Sequence, residues 1–187
     1  MQLGDTRDLT TRTGKTLSAR RLTVADAKAL QTFNASLLPQ SERWFRAHAY
    51  DDATVQKALT RSQAGDDLTL GLFDGARQVG YFFLWYFADP VPLLGVGLLD
   101  EFQGMGLGRQ LLGLLIDEAR ATDRTGIELT TNLDNPRAFA LYTNMGFTHF
   151  RDVQNLQGDG SLVVEHAMFL AIKPGAQPPN REHRPPV

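Results

Sequence analysis

The chain places three glycines within five residues, at Gly104, Gly106 and Gly108 of Gln103-Gly104-Met105-Gly106-Leu107-Gly108. An apolar run, Leu93 to Leu99, precedes this segment, and Arg109 to Ala121 follows it with helical spacing of its leucines. Glycine lets the backbone turn tightly and bring its N–H groups close to a ligand. A helix starting there adds unpaired N–H groups and the positive end of its dipole, which together make a phosphate seat. The chain must therefore fold so that a strand feeds a helix through this loop. Spacing then says which kind of loop it is. A Walker loop ends in Gly-Lys-Ser/Thr, and Gly108 is followed by Arg109 and Gln110. A dinucleotide fingerprint needs glycine where Arg109 stands, with an acidic residue about 20 positions further on in a second strand. Neither nucleotide pattern is met.

At 187 residues the chain fits one domain with a substantial core. A net charge of −2 offers no basic field for nucleic acid or an anionic membrane. No run of apolar residues is long enough to cross a bilayer, and Asp5, Arg7, Asp8 and Arg12 break any apolar leader. A soluble cytoplasmic protein is the expectation. There is no cysteine, which removes disulfides, thiolate zinc sites and acyl-cysteine intermediates. His48, His149, His166 and His183 lack the spacing for a metal on one helix, so no metal is expected and each reads as a surface or half-buried residue.

A second motif lies downstream, Asn135-Pro136-Arg137-Ala138-Phe139-Ala140-Leu141-Tyr142-Thr143-Asn144-Met145-Gly146-Phe147. Gln103, Gly106 and Gly108 fit Gln/Arg-x-x-Gly-x-Gly/Ala, and this segment resembles the Asn, Ala and Leu-Tyr leading into Gly-Phe that goes with it. Together they resemble the GCN5-related N-acetyltransferase (GNAT) superfamily.

The elements run in a matching order. Residues 1–15 read as a loose polar lead-in, and 173–187 as a Pro-rich extended or disordered tail. Strands are expected at Thr16–Val24, Leu68–Phe73, Val79–Phe87, Leu93–Leu99, Ile127–Thr131, Phe147–Val153 and Leu162–Ile172. Helices are expected at about Ala25–Leu37, ended by Pro39, then at Asp51–Ser62, Gly106–Ala121 and from Pro136 to Asn144. The order β-α-α-β-β-β-α-β-α-β-β covers residues 16–172, and the resemblance implies an α/β (α+β type) domain: a mixed, mostly antiparallel sheet with helices on both faces.

The resemblance also implies acetyl transfer from acetyl-CoA to a primary amine by direct attack in a ternary complex. The alternative is a non-catalytic acyl-CoA-binding regulatory module on the same scaffold. The pyrophosphate seat would be the backbone of Gln103, Gly104, Met105, Gly106, Leu107 and Gly108, with Arg109 as a charge partner. Backbone groups near Val96 to Leu98 would meet the pantetheine amides. Tyr142 is the candidate general acid for the departing thiolate, its phenol lying near pKa ~10 when unperturbed; packing of its ring against Phe139 and Phe147 is the lesser alternative. Asn135 would bond the cofactor, cap the helix, or both. For the base, Glu101 and Asp100 at the strand end and Glu128 on the next strand are candidates, beside a water relay. Glu42 and Trp44 lie where acceptor contacts are built in the family, and a helical turn with Trp44 in the core is the plainer reading. Tyr81, Phe83, Trp85 and Phe87 alternate with Phe82, Leu84 and Tyr86, the pattern of a strand covered on both sides without any ligand; the alternative is that one face, with Trp85 as the candidate acceptor contact, lines an acceptor channel or a homodimer contact.

Overall fold

The computed structural model describes residue 1 and residues 5–187. Its sheet has eight strands in the order β1-β2-β3-β4-β5-β6-β8-β7. In sequence these are β1 (Thr6–Thr10), β2 (Thr16–Arg21), β3 (Leu68–Asp74), β4 (Arg77–Trp85), β5 (Leu93–Leu98), β6 (Gly126–Asn132), β7 (Thr148–Leu156) and β8 (Leu162–Ala171). The helices are α1 (Ala27–Ala35), α2 (Pro39–Trp44), α3 (Asp52–Ala64), α4 (Leu107–Ala121) and α5 (Pro136–Asn144). Every neighbouring pair is antiparallel except β5 with β6.

Local chemistry explains the ends of the elements. Thr23 and Asp26 form a capping box on a short 3-10 turn that leads into α1. The Asp51 carboxylate accepts from the Thr54 N–H at 2.9 Å to start α3, and Gly65, left-handed at φ 90°, ends it. Asp74-Gly75 turns β3 into β4, where all but Arg77 are buried. The strand stops at Trp85 because Tyr86 takes φ 54°, outside the extended region.

Two expectations about the termini are corrected. Residues 2–4 of the expected lead-in lie outside the described residues, but Thr6–Thr10 is a full strand that pairs with β2. Its hairpin docks on α4, with the Gln110 side chain bonding the Thr10 backbone N–H (3.3 Å) and carbonyl (2.9 Å). Polar composition hid it because Leu9 is its only buried residue. The tail from residue 173 is also held down. Arg181 and His183 reach the buried Glu128, and the Leu156 N–H donates to the His183 carbonyl at 2.9 Å. His183 and His48 are buried rather than superficial. Pro39, expected only to end a helix, also begins one, at the first position of α2, where its missing N–H costs nothing.

Strand register assigns the faces. Tyr81, Phe83 and Trp85 pair with Gly97, Gly95 and Leu93; Leu93 meets Glu128, and Glu128 meets Phe169. Glu165, four residues back along β8, shares this face with Asn132, its direct partner. Phe33 of α1 packs edge-on against Tyr81 here, with ring centroids 6.3 Å apart. The opposite face carries His166 and Met168, and Phe139 of α5 packs on His166 there. An irregularity between His149 and Arg151 puts an extra residue into β7, so His149 joins Asp152 and His166 on that face. Both imidazoles bond the same Asp152 oxygen at 2.8 Å.

Candidate active site

β5 and β6 hold register only at Leu93–Glu128 and Leu94–Leu129, and beyond that the two strands separate. Parallel neighbours that part leave backbone N–H and C=O groups without their ladder partners, free for a ligand. A groove of about 580 Å³ opens in the gap. Leu94 to Leu98 form one wall and Thr130 and Thr131 the other, while Gly104, Gly106, Gly108 and Arg109 close one end, with Asn135 and Tyr142 alongside.

The glycine end owes its shape to backbone conformation. Gly104 (φ 75°) and Gly106 (φ 84°) are both left-handed, and Gly106 is the N-cap of α4. A side chain on Gly104 would meet Arg137, and one on Gly106 would meet Arg12. Three guanidinium groups therefore surround the first turn of α4: Arg109 from the helix, Arg137 from α5 and Arg12 from the hairpin after β1. The Arg12 guanidinium donates to the Gly104 carbonyl, and the Arg12 backbone N–H donates to the Met105 carbonyl at 3.0 Å. Unpaired helix N–H groups, a positive dipole end and three cations together could hold an anion.

The expected cofactor residues divide within this geometry. Val96, Leu98, Gln103, Gly104, Gly106, Gly108, Arg109 and Asn135 line the groove. Met105 and Leu107 do not; the Leu107 side chain is buried in the core, and both act through their place in the loop. The Gln103 amide turns inward, donating to the Leu98 carbonyl at 3.1 Å and the Ser41 hydroxyl at 3.0 Å. Leu98 thus already accepts a hydrogen bond, and Gln103 ties loop, strand and α2 together. Asn135 caps α5 by accepting from the Ala138 N–H at 3.1 Å while facing the groove.

Tyr142 lies on α5 at the groove, edge-on to Phe147. Burial, with a smaller contribution from the Glu165 carboxylate, pushes its phenol up to about 12. Neither expected glutamate base reaches this place. Glu101 is exposed and ion-paired with Arg77 at 2.6 Å. Glu128 is fully buried under the tail, with His183 Nε2 at 2.7 Å and Arg181 Nε at 3.1 Å. A residue at a strand end or on a strand is free to point either way, and tertiary packing turned both of these away from the groove.

A smaller cleft of about 70 Å³ adjoins the groove, sharing Trp44, Phe45, Leu94, Gly95 and Thr130 with it. Trp85 stacks on Phe83 in its wall at 3.8 Å between ring centroids. Gly95 permits this, because a side chain there would occupy the Phe83 ring. Trp44 faces both cavities and donates from Nε1 to Asp134 at 3.1 Å, while the adjacent Arg43 ion-pairs with the same carboxylate. α2 is thereby tied to the loop before α5. Glu42 pairs with Arg46 and lines neither cavity. The sequence marks neither Arg12, Arg137 nor Glu165 as a site residue: Arg12 reads there as a solvated surface arginine, no local motif contains Glu165, and Arg137 is an unremarked position within one.

The match to known proteins agrees with this geometry. The profile of the acetyltransferase (GNAT) family matches residues 31–147. The [ribosomal protein bS18]-alanine N-acetyltransferase of Salmonella typhimurium is 31% identical over 102 residues, covering 54% of this chain and 68% of that protein. The ribosomal-protein-S5-alanine acetyltransferase of Vibrio fischeri superposes with a TM-score of 0.73 at 14% identity, covering 93% of this chain and 100% of that one. yncA of Salmonella typhimurium, solved with its cofactor acetyl-CoA, has a TM-score of 0.69 at 20% identity, covering 88% and 99% of the two chains. The chain belongs to the acetyltransferase (GNAT) family and is an acetyl-CoA-dependent N-acetyltransferase.

Proposed function

We propose that the chain moves an acetyl group from acetyl-CoA to a primary amine by direct attack, with both substrates bound at once. One observation carries this reading: the glycine loop, the parted strands and Tyr142 all line a single groove. The residues fit the donor. The α4 N-terminus with Arg12, Arg109 and Arg137 would hold its diphosphate, and the open edge of β5 would meet its amides. The bound donor supplies an activated thioester.

The remaining steps belong to the amine and to Tyr142. The amine arrives as an ammonium, loses a proton to solvent through the open cleft, and forms the C–N bond as the C–S bond breaks. Tyr142 gives its phenolic proton to the departing sulfur and regains one from the proton released at nitrogen. The net products are the amide, a free thiol and one proton. Its raised pKa keeps the phenol protonated across the working range. Desolvation that raises a phenol also raises a thiol beside it, so donor and acceptor of the proton move together. The absence of cysteine removes the acyl-cysteine route.

The acceptor class includes protein α-amines, a reading supported by the relative that acts on an alanine of a ribosomal protein. The test is calorimetric titration with acetyl-CoA, then thiol release with peptides beginning in alanine, lysine peptides, polyamines and amino acids. Saturable binding with release on one amine class supports the reading. Binding without release on any amine would sink the transfer, and no binding would sink the groove assignment.

A further inference from the structure

Glu165 is the only carboxylate among the described residues that line either cavity. It lies in the smaller cleft and is 3% exposed, yet no cation among the described residues pairs with it. Its partners are three neutral amides. Asn132 Nδ2 donates to Oε1 at 2.8 Å, Gln157 Nε2 to Oε1 at 3.1 Å, and Asn155 Nδ2 to Oε2 at 2.7 Å. The cleft's two arginines are already engaged: Arg46 with Glu42 and Asp159, and Arg184 with Glu182. Glu128 on the same face shows the usual alternative, a buried carboxylate paired with the Arg181 guanidinium and in hydrogen-bond contact with His183.

A buried charge without an opposite charge is costly, and a cationic ligand would supply the missing partner. The surroundings suit a cation. Phe83, Trp85 and Trp44 present aromatic surface to the cleft, and ring faces attract ammonium groups. Position links it to the reaction as well. Asn155 bonds Glu165 and, at 3.1 Å, the Thr130 hydroxyl, and Thr130 lines both the cleft and the cofactor groove. A cation held at Glu165 therefore lies one side chain away from the gap between β5 and β6.

We propose that Glu165 is the acceptor-binding residue, its carboxylate receiving the ammonium group of a cationic primary amine between the Phe83–Trp85 stack and Trp44. This assignment rests on the acetyl-transfer reading for its catalytic meaning, but binding of the cation is testable without turnover. The C-terminal tail takes part, because Arg184 and Pro185 form one side of the cleft and the Glu128–His183 contact fixes where they sit.

The experiment titrates n-butylammonium chloride, with n-butanol as the uncharged control, into the wild-type chain and Glu165→Gln by chemical-shift perturbation. Acetyl-CoA affinity and Tm are measured on both. The expected result is saturable butylammonium binding to the wild type at the cleft residues, at least about tenfold weaker in Glu165→Gln, with acetyl-CoA affinity within about twofold and n-butanol indifferent to the change. In turnover, the variant raises KM for the amine more than it lowers kcat. Should Glu165→Gln fail to fold, Glu165→Asp keeps the charge and retracts it by one methylene, and the same loss of cation affinity is expected in smaller degree. Equal butylammonium affinity in wild type and variant, or none in the wild type, overturns the assignment. If acetyl-CoA fails to bind the wild type, the transfer reading falls, and the butylammonium comparison still decides Glu165.

Discussion

The cofactor groove and the acceptor cleft adjoin one another but are built in opposite ways. The groove's phosphate end is nearly contiguous: Gln103 to Arg109 supply the loop, its left-handed glycines and the first turn of a helix. In the proposed reading backbone N–H groups hold the donor there, and backbone shape follows from glycine spacing. The cleft gathers Trp44, Phe83, Trp85, Gly95, Thr130, Asn155, Glu165 and Arg184 from separate parts of the chain. Its recognition falls on side chains that only strand register and a docked tail bring together. Donor binding can thus be specified by a short motif, while acceptor choice is spread over the whole domain and is free to change without disturbing the donor.

That contrast predicts separable failures. The largest is expected from Gly106→Glu, which places a carboxylate in the anion seat and a side chain at φ 84° against Arg12. Acetyl-CoA affinity should fall by about 100-fold or more, read by calorimetry, while butylammonium binding at the cleft persists. Loss of both would show that the two sites are one folding unit. Tyr142→Phe should lower kcat on the order of 100-fold with acetyl-CoA affinity nearly unchanged, since it removes a proton rather than a contact. Full activity would remove Tyr142 from the chemistry.

Arg12→Ala should weaken acetyl-CoA by about tenfold, the scale of one charge-assisted contact, and steepen no acceptor KM. An unchanged affinity would return the β1 hairpin to a purely structural role. His183→Ala should lower stability by about 2 kcal/mol, seen as a fall of several degrees in Tm, because Glu128 is left buried with Arg181 alone. Acetyl-CoA affinity should not move, as no tail residue lines the groove. The smallest effect is on alkaline stability. The Tyr142 phenol, raised to about 12 when folded and about 10 when unfolded, stabilises the fold fully below pH ~10 and loses that contribution as pH climbs through 12. Tyr50, also raised to about 12 by burial, acts in the same direction. The urea midpoint should therefore stay level up to pH ~10 and decline above it; a decline starting lower would mean these phenols are less buried than the structure shows.

Most of the fold was legible in the sequence because its signals are local. Gly104, Gly106 and Gly108 announce the strand–loop–helix unit, Asp74-Gly75 announces the central hairpin, and Asn135-Pro136 announces the start of α5. Each depends only on near neighbours in the chain. β1 escaped notice because an edge strand with one buried residue leaves no apolar alternation. The tail escaped because a Pro-rich segment gives no sign of a hydrogen bond made 55 residues away, as His183 makes with Glu128.

By itself the sequence determined the order of elements, the glycine loop that opens α4 and the position of Tyr142, all set by backbone preferences and periodicities that act over a few residues. Only the tertiary structure decided which carboxylate meets the cleft. Glu101, Glu128 and Glu165 are chemically alike, and the direction each side chain takes follows from strand register and from what docks above it. Pairing with Arg77 removed the first, and the tail sealed the second. Register with Asn132 left the third facing the acceptor cleft, buried among amides and without a cation of its own.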